Sequence, residues 1–222
     1  MRSSIDNPLG CTFQNTYYAG KLNKLYLCAY LKAHLLPRPK AQNVEGHLTR
    51  LEGIALRDIA RRYASNGIIV EIGSYLGKSS NYLAGALTKG GHLYCIDPWF
   101  GEGGWIEGKT GKETDTYNQF LSNMKSWTGK FTALRGYSTD VVKNWTQQID
   151  LLWIDGDHTY EGCSSDIMLW YPFLKKDGWI CLHDHDNPFG VKQAVQDILF
   201  CQVNRYYLID SMFVAQKGKD LK

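Results

Sequence analysis

Three features of this 222-residue chain predict an α/β domain: a seven-stranded, mostly parallel sheet with helices on both faces and an antiparallel C-terminal hairpin. First, apolar runs of strand length alternate with stretches of helical periodicity from residue 68 onward. Second, several of those runs end in glycine or a carboxylate, as in Ile69-Val70-Glu71-Ile72-Gly73, Tyr94-Cys95-Ile96-Asp97 and Leu151-Leu152-Trp153-Ile154-Asp155. Third, the tail carries two strand-like runs joined only by Asp210-Ser211. Repeated strand–helix units demand a parallel sheet buried on both sides, whereas a direct strand-to-strand turn demands antiparallel pairing.

The elements follow in order. Apolar residues at helical spacing predict a helix over 22–36, stopped by Pro37-Arg38-Pro39. A second helix is expected from about His47 to Tyr63, with Leu48, Leu51, Ile54, Ala55 and Ile59 on one face. Strand 68–73 then leads through a glycine turn to a helix at 77–88, and Gly90-Gly91 turns the chain into strand 92–97. A helix at 114–127 leads to strand 131–135, a short helix at 138–146 and strand 149–155. Next come a helix at 160–174, strand 179–183 opened by Asp177-Gly178, a helix at 190–199, and strand runs at 206–209 and 212–215. The division expected is an N-terminal helical extension over 1–46 and the strand–helix domain over 47–222.

Composition narrows the function. The net charge of +3 is spread along the chain, without the basic face of a nucleic-acid binder. No apolar run approaches the roughly 20 residues that span a bilayer, and the first residues lack a signal-peptide core. A cytoplasmic protein with no membrane or nucleic-acid partner is expected. The six cysteines form no C-x-x-C pair and suggest neither a zinc site nor a disulfide framework. Cys95 and Cys181 read as reduced core residues.

The glycine turn Gly73-Ser74-Tyr75-Leu76-Gly77-Lys78-Ser79 admits three readings. A phosphate-binding loop would need a glycine where Ile72 stands, so the loop is one residue too short. A dinucleotide fingerprint would need glycine at Tyr75, whose side chain would block a pyrophosphate. The third reading is Glu-x-Gly-x-x-x-Gly, which resembles the first motif of class I S-adenosylmethionine-dependent methyltransferases. Their cofactor has no phosphate and tolerates a side chain in the turn. Further blocks extend the likeness: Ile96-Asp97-Pro98-Trp99, Ile154-Asp155-Gly156-Asp157-His158-Thr159-Tyr160-Glu161 and Asp177-Gly178-Trp179-Ile180-Cys181-Leu182-His183-Asp184. Together they resemble a small single-domain branch related to sugar O-methyltransferases and cephalosporin-hydroxylase-like proteins, over roughly residues 50–215.

The resemblance implies a Rossmann-like seven-stranded methyltransferase sheet and S-adenosyl-L-methionine as cofactor. Its cofactor positions fall on Glu71, Gly73, Ser74, Tyr75, Ser79, Asp97, Tyr137, Ser138 and Asp155. Asp97 would take the ribose hydroxyls, Glu71 would lie near the amino end, and Tyr137 or Ser138 would meet the adenine. Relatives also hold a divalent ion, which places Asp155, Asp184 and His183 as ligands here. An acidic pair is usual where this chain has His183-Asp184, and an imidazole shifts preference from Mg²⁺ toward softer ions such as Mn²⁺ or Zn²⁺.

Asp155, Asp157, His158, His183, Asp184, His185 and Asp186 crowd two strand ends. So many titratable groups at one edge make poor structural material and point to a site. An alcohol acceptor must lose a proton during methyl transfer, and His158 or Asp157 is the expected base. The glycine-rich stretch 97–112 carries Trp99, Phe100, Trp105 and Ile106 and reads as a lid. The expected reaction is O-methylation of a small molecule such as a sugar. A binding protein of the same fold, hydroxylase-like or without methyl transfer, is the rival, and homo-oligomers are allowed.

Overall fold

The computed structural model describes residues 24–37, 39–100, 115–186 and 190–221. Among these, seven strands are β1 Ile68–Ile72, β2 His92–Asp97, β3 Phe131–Arg135, β4 Ile149–Ile154, β5 Leu174–Leu182, β6 Val203–Ile209 and β7 Met212–Lys217. They form one sheet in the order β3-β2-β1-β4-β5-β7-β6. Neighbours from β3 to β5 are parallel, and β7 runs antiparallel to both β5 and β6.

The helices are α1 Lys24–Leu35, α2 Arg50–Tyr63, α3 Lys78–Ala84, α4 Tyr117–Met124, α5 Ser138–Val141, α6 Tyr160–Trp170 and α7 Val191–Ala194. Alternation along the strands divides the core. Ile69, Leu151, Trp153, Trp179 and Cys181 face α1, α2, α3 and α4. Val70, Ile72, Leu152, Ile154, Ile180 and Leu182 face α6 and α7. Each such side chain, fully buried, contributes about 1.5–3 kcal/mol. Both faces are covered, which is why β1 and β4 read as nearly continuous apolar runs, broken only by Glu71 and Asp150.

Three local departures from expectation occur, two of them with a clear physical cause. α2 begins at Arg50 because Thr49 caps it: Glu52 N–H donates to Thr49 Oγ1 at 3.2 Å, and Thr49 N–H donates to Glu52 Oε2 at 2.9 Å. β5 begins at Leu174, before Asp177-Gly178, because Asp177 takes φ +62° within an irregular stretch of the β4–β5 pairing. The helix expected over 190–199 is α-helical only to Ala194 and widens into a π-turn over Val195–Leu199. Cys95 and Cys181 are buried free thiols as expected, but Cys201 is disulfide-bonded, which the cysteine spacing does not reveal. No helix among the described residues is long and apolar enough to cross a membrane. Trp105 and Ile106 of the expected lid lie outside the described residues.

Candidate active site

The strand order reverses between β1 and β4, which opens a crevice at their carboxyl ends. Gly73 leaves β1 at φ +84°, and a Cβ there would sit 2.0 Å from the Asp155 carbonyl oxygen. Only glycine lets the two strand exits approach so closely. The turn continues through Tyr75 at φ +43° and Gly77 at φ +89°. A tyrosine in the left-handed region is strained, so its surroundings must hold it there. Asp97 at the end of β2 does so: its Oδ2 accepts from Tyr75 N–H at 2.8 Å and its Oδ1 from Trp99 N–H at 2.6 Å. Trp99, itself at φ +47°, donates from Nε1 to the Tyr75 carbonyl at 2.8 Å and packs on Phe120. Burial pushes the Asp97 carboxyl up, against these backbone donors. Its side chain remains half-buried, at the crevice mouth.

Glu71 takes a different position. The alternation of β1 turns it under α3, where it is fully buried. Ser74 Oγ donates to its Oε2 at 2.7 Å, Ser79 Oγ donates to Oε1 at 2.5 Å, and Ser80 Oγ donates to Oε2. Burial raises its pKa, and these hydroxyls together with Cys95 oppose the rise. A carboxylate has about four acceptor sites, so the turn's own side chains use nearly all of them. Glu71 and Ser79 therefore fasten the turn to the sheet.

The second group gathers at the ends of β4 and β5. His183, 4% exposed, places Nδ1 at 3.2 Å from both Asp155 Oδ1 and Asp184 Oδ2. His158 Nε2 approaches the same two oxygens, at 3.5 Å and 3.2 Å. Two carboxylate oxygens and two imidazole nitrogens thus converge, and Asp155, His158 and Asp184 have ligand atoms within 4.8 Å of one another. Burial works against charge on His183, but hydrogen bonds to Asp155, Asp184 and Glu52 outweigh it and hold its pKa up at about 12. The hydrogen bond to Asp155 raises His158. Burial opposes ionisation of Asp184, and His183 more than compensates, lowering it. Asp184 sits at φ +52°, a further strained position at this edge.

Other expected residues are placed less centrally. Asp157 accepts from Thr159 N–H at 2.8 Å and lies against Gly162 in the first turn of α6. Tyr137 is exposed, and Ser138 donates to Asp166. Two residues escaped sequence reading. Asp166 is buried and its carboxyl is pushed up by burial to about 6. Its signal was available, since it falls on the same helical stripe as Cys163, Ile167 and Trp170. Glu52 is fully buried and faces His183; the one local signal that could have singled it out is its capping spacing from Thr49.

A switch-point crevice flanked by a glycine turn, an acidic β2 end and an acid–imidazole cluster, on a sheet of this order, defines the class I S-adenosylmethionine-dependent methyltransferase fold. The methyltransferase-domain family matches residues 70–185, just over half of the chain, and the chain belongs to that family. An uncharacterized protein, R132, of Acanthamoeba polyphaga mimivirus is 28% identical over 167 residues, spanning 72% of this chain and 69% of that protein. An O-methyltransferase from Bacillus cereus in complex with SAH shares the fold at TM-score 0.64 and 15% identity, covering 86% of this chain and 96% of that one. TomG, an O-methyltransferase of tomaymycin synthesis from Streptomyces achromogenes in complex with SAM, does so at TM-score 0.62 and 15% identity, with 87% and 96% covered.

Proposed function

We propose that this methyltransferase transfers a methyl group from S-adenosylmethionine to a hydroxyl oxygen of a small acceptor, such as a sugar or another polar metabolite. The observation that carries this reading is the meeting of a side-chain-free turn at Gly73, a half-buried acid at Asp97 and the His158 cluster on one edge of the sheet. Solved neighbours holding SAM or SAH support the choice of cofactor.

The chain's residues fit the group. Asp97, half-buried at the end of β2, accepts from backbone amides of the turn and would use its remaining acceptor site for a ribose hydroxyl, and the Gly73–Gly77 turn would make room for the methionine portion. Glu71 acts from behind by keeping that turn in shape. The bound cofactor supplies an activated methyl group on a sulfonium, so the protein's main task is alignment. His158, 44% exposed at its side chain, is placed to take the acceptor's proton, with Asp155 and Asp184 stabilising the resulting imidazolium. Asp157, tied to the start of α6, is the weaker candidate base. Tyr137 and Ser138 would border the adenine, with Asp166 behind Ser138.

The cluster's donor set also fits a divalent ion. Asp155 and Asp184 would hold it together with His183, whose Nδ1 lies 3.2 Å from both. His158 shares the ligand-distance group of the two carboxylates, and the ion would polarise an acceptor hydroxyl. Mixed imidazole and carboxylate donors favour Mn²⁺ over Mg²⁺. Calorimetric titration with S-adenosylmethionine and formation of S-adenosylhomocysteine over a panel of hydroxylated metabolites test the proposal. Binding without turnover across the panel would favour the rival, a binding protein. Turnover that survives a chelator would remove the ion.

A further inference from the structure

Glu52 lies far from the cluster in sequence and yet forms its back wall. Its side chain is fully buried. Oε1 accepts from Ser211 N–H at 2.9 Å and from Ser211 Oγ at 2.7 Å, and Oε2 accepts from Thr49 N–H at 2.9 Å. Oε2 also faces His183 Nε2 at 3.3 Å. A capping-box glutamate needs neither full burial nor both oxygens in use. A buried carboxylate is costly unless a cation or strong donors meet it, and the imidazole of His183 is the charged partner here.

We infer that Glu52 is a positioning residue of the active site: by meeting His183 Nε2 from behind it fixes the ring so that Nδ1 points into the space between Asp155 and Asp184. The helix α2, the end of β5 and the turn between β6 and β7 are joined at this one side chain. The His183 ring cannot rotate without breaking the Glu52 contact on one side or two carboxylate contacts on the other. A carboxylate behind an imidazole that faces a cation site fixes the ring's orientation. This inference rests on the ion reading above only for its consequence, a preference for Mn²⁺ over Mg²⁺. The positioning itself is a property of the metal-free protein.

Glu52→Gln is the informative change. The amide has one oxygen, so either Ser211 N–H or Thr49 N–H must face an NH₂ group, and the contact with His183 is disturbed. Two readouts separate the questions. In the metal-free, histidine-labelled full chain, ¹⁵N shifts of His183 are expected to move in Glu52→Gln and to stay in place in a variant at the exposed Lys143. In calorimetry with Mn²⁺ and Mg²⁺ alone, Glu52→Gln should lose about 10-fold to 100-fold in Mn²⁺ affinity, the usual effect of removing such a backing carboxylate. Should Glu52→Gln not fold, Ser211→Ala removes only the hydroxyl donor from Oε1 and should cost about twofold to fivefold in Mn²⁺ affinity, with a smaller shift of the His183 signals.

Unmoved His183 shifts in a folded Glu52→Gln or Ser211→Ala protein would overturn the positioning role. Undiminished Mn²⁺ affinity in a folded Glu52→Gln protein would do the same. Moved shifts in a protein that binds no Mn²⁺ even as wild type would support the positioning role and overturn only the ion reading.

Discussion

At the scale of single residues, the turn after β1 is held by hydrogen bonds among its own side chains. Glu71 collects hydroxyls from Ser74, Ser79 and Ser80, and each serine can reverse its O–H to meet an amide. Glu71→Gln should therefore keep S-adenosylmethionine affinity within about threefold, whereas Glu71→Ala orphans buried hydroxyls at about 1–3 kcal/mol each and should weaken both stability and binding. A tenfold loss in a well-folded Glu71→Gln protein, read by calorimetry, would mean that the carboxylate contacts the ligand itself. Asp166 allows a prediction with a defined pH window. Its folded pKa, about 6, is raised by burial above the ordinary 3.8. Below the ordinary value both states are protonated and nothing is lost. As pH rises through about 6 the folded state is penalised, by on the order of 2–3 kcal/mol at full effect. Asp166→Asn removes that penalty while an amide oxygen can still accept from Ser138. Its melting temperature should exceed wild type at pH 7.5, and the gap should close near pH 4. An equal gap at both pH values would show that ionisation of Asp166 is not the cause.

At the scale of elements, α2 joins the sheet and the site. Gly53 lies where α2 crosses α3, and a Cβ there would sit 2.3 Å from the Tyr82 ring. Alanine would improve helix propensity by about 1 kcal/mol, but overpacking of a rigid aromatic costs about 1–3 kcal/mol. Gly53→Ala is therefore expected to lower stability in urea titration, and adding Tyr82→Leu should recover part of the loss. A gain from Gly53→Ala alone would mean that α2 can shift away from α3. Elements of this kind were readable from the sequence because their signals are local: β2 and β3 match their expected bounds, and the Glu-x-Gly-x-x-x-Gly turn was visible as a motif. Contacts across long separations left no such trace. Glu52 and His183 are 131 positions apart, and Glu52 and Ser211 are 159 apart, so periodicity could say only that a helix starts near His47. The bulge in β5 was misread as the strand's start because Asp177-Gly178 carries a turn signature whether or not pairing continues past it.

At the scale of the whole molecule, ligand and fold are coupled through the switch point. β1 and β4 are the central strands of the parallel region, and both send their carboxyl-terminal exits into the crevice. A ligand there bridges the Gly73 turn, Asp97 and the β4–β5 edge, which are the segments whose backbone is strained at Tyr75, Trp99 and Asp184. Anything that binds the folded state alone stabilises it by mass action, about 2.7 kcal/mol at a hundredfold excess over Kd. For a chain of this size each kcal/mol raises Tm by about 2–4 °C. S-adenosylhomocysteine at that excess should therefore raise Tm by about 5–10 °C. If Asp97 meets the ribose, Asp97→Ala should bind about tenfold more weakly, and its shift at the same ligand concentration should fall to about half, near 1.4 kcal/mol. The comparison uses shifts rather than absolute Tm values, because Asp97 also holds Tyr75 and Trp99 and its loss lowers the baseline. Equal shifts in wild type and Asp97→Ala would remove Asp97 from the ligand's contacts and leave it as a brace for the turn.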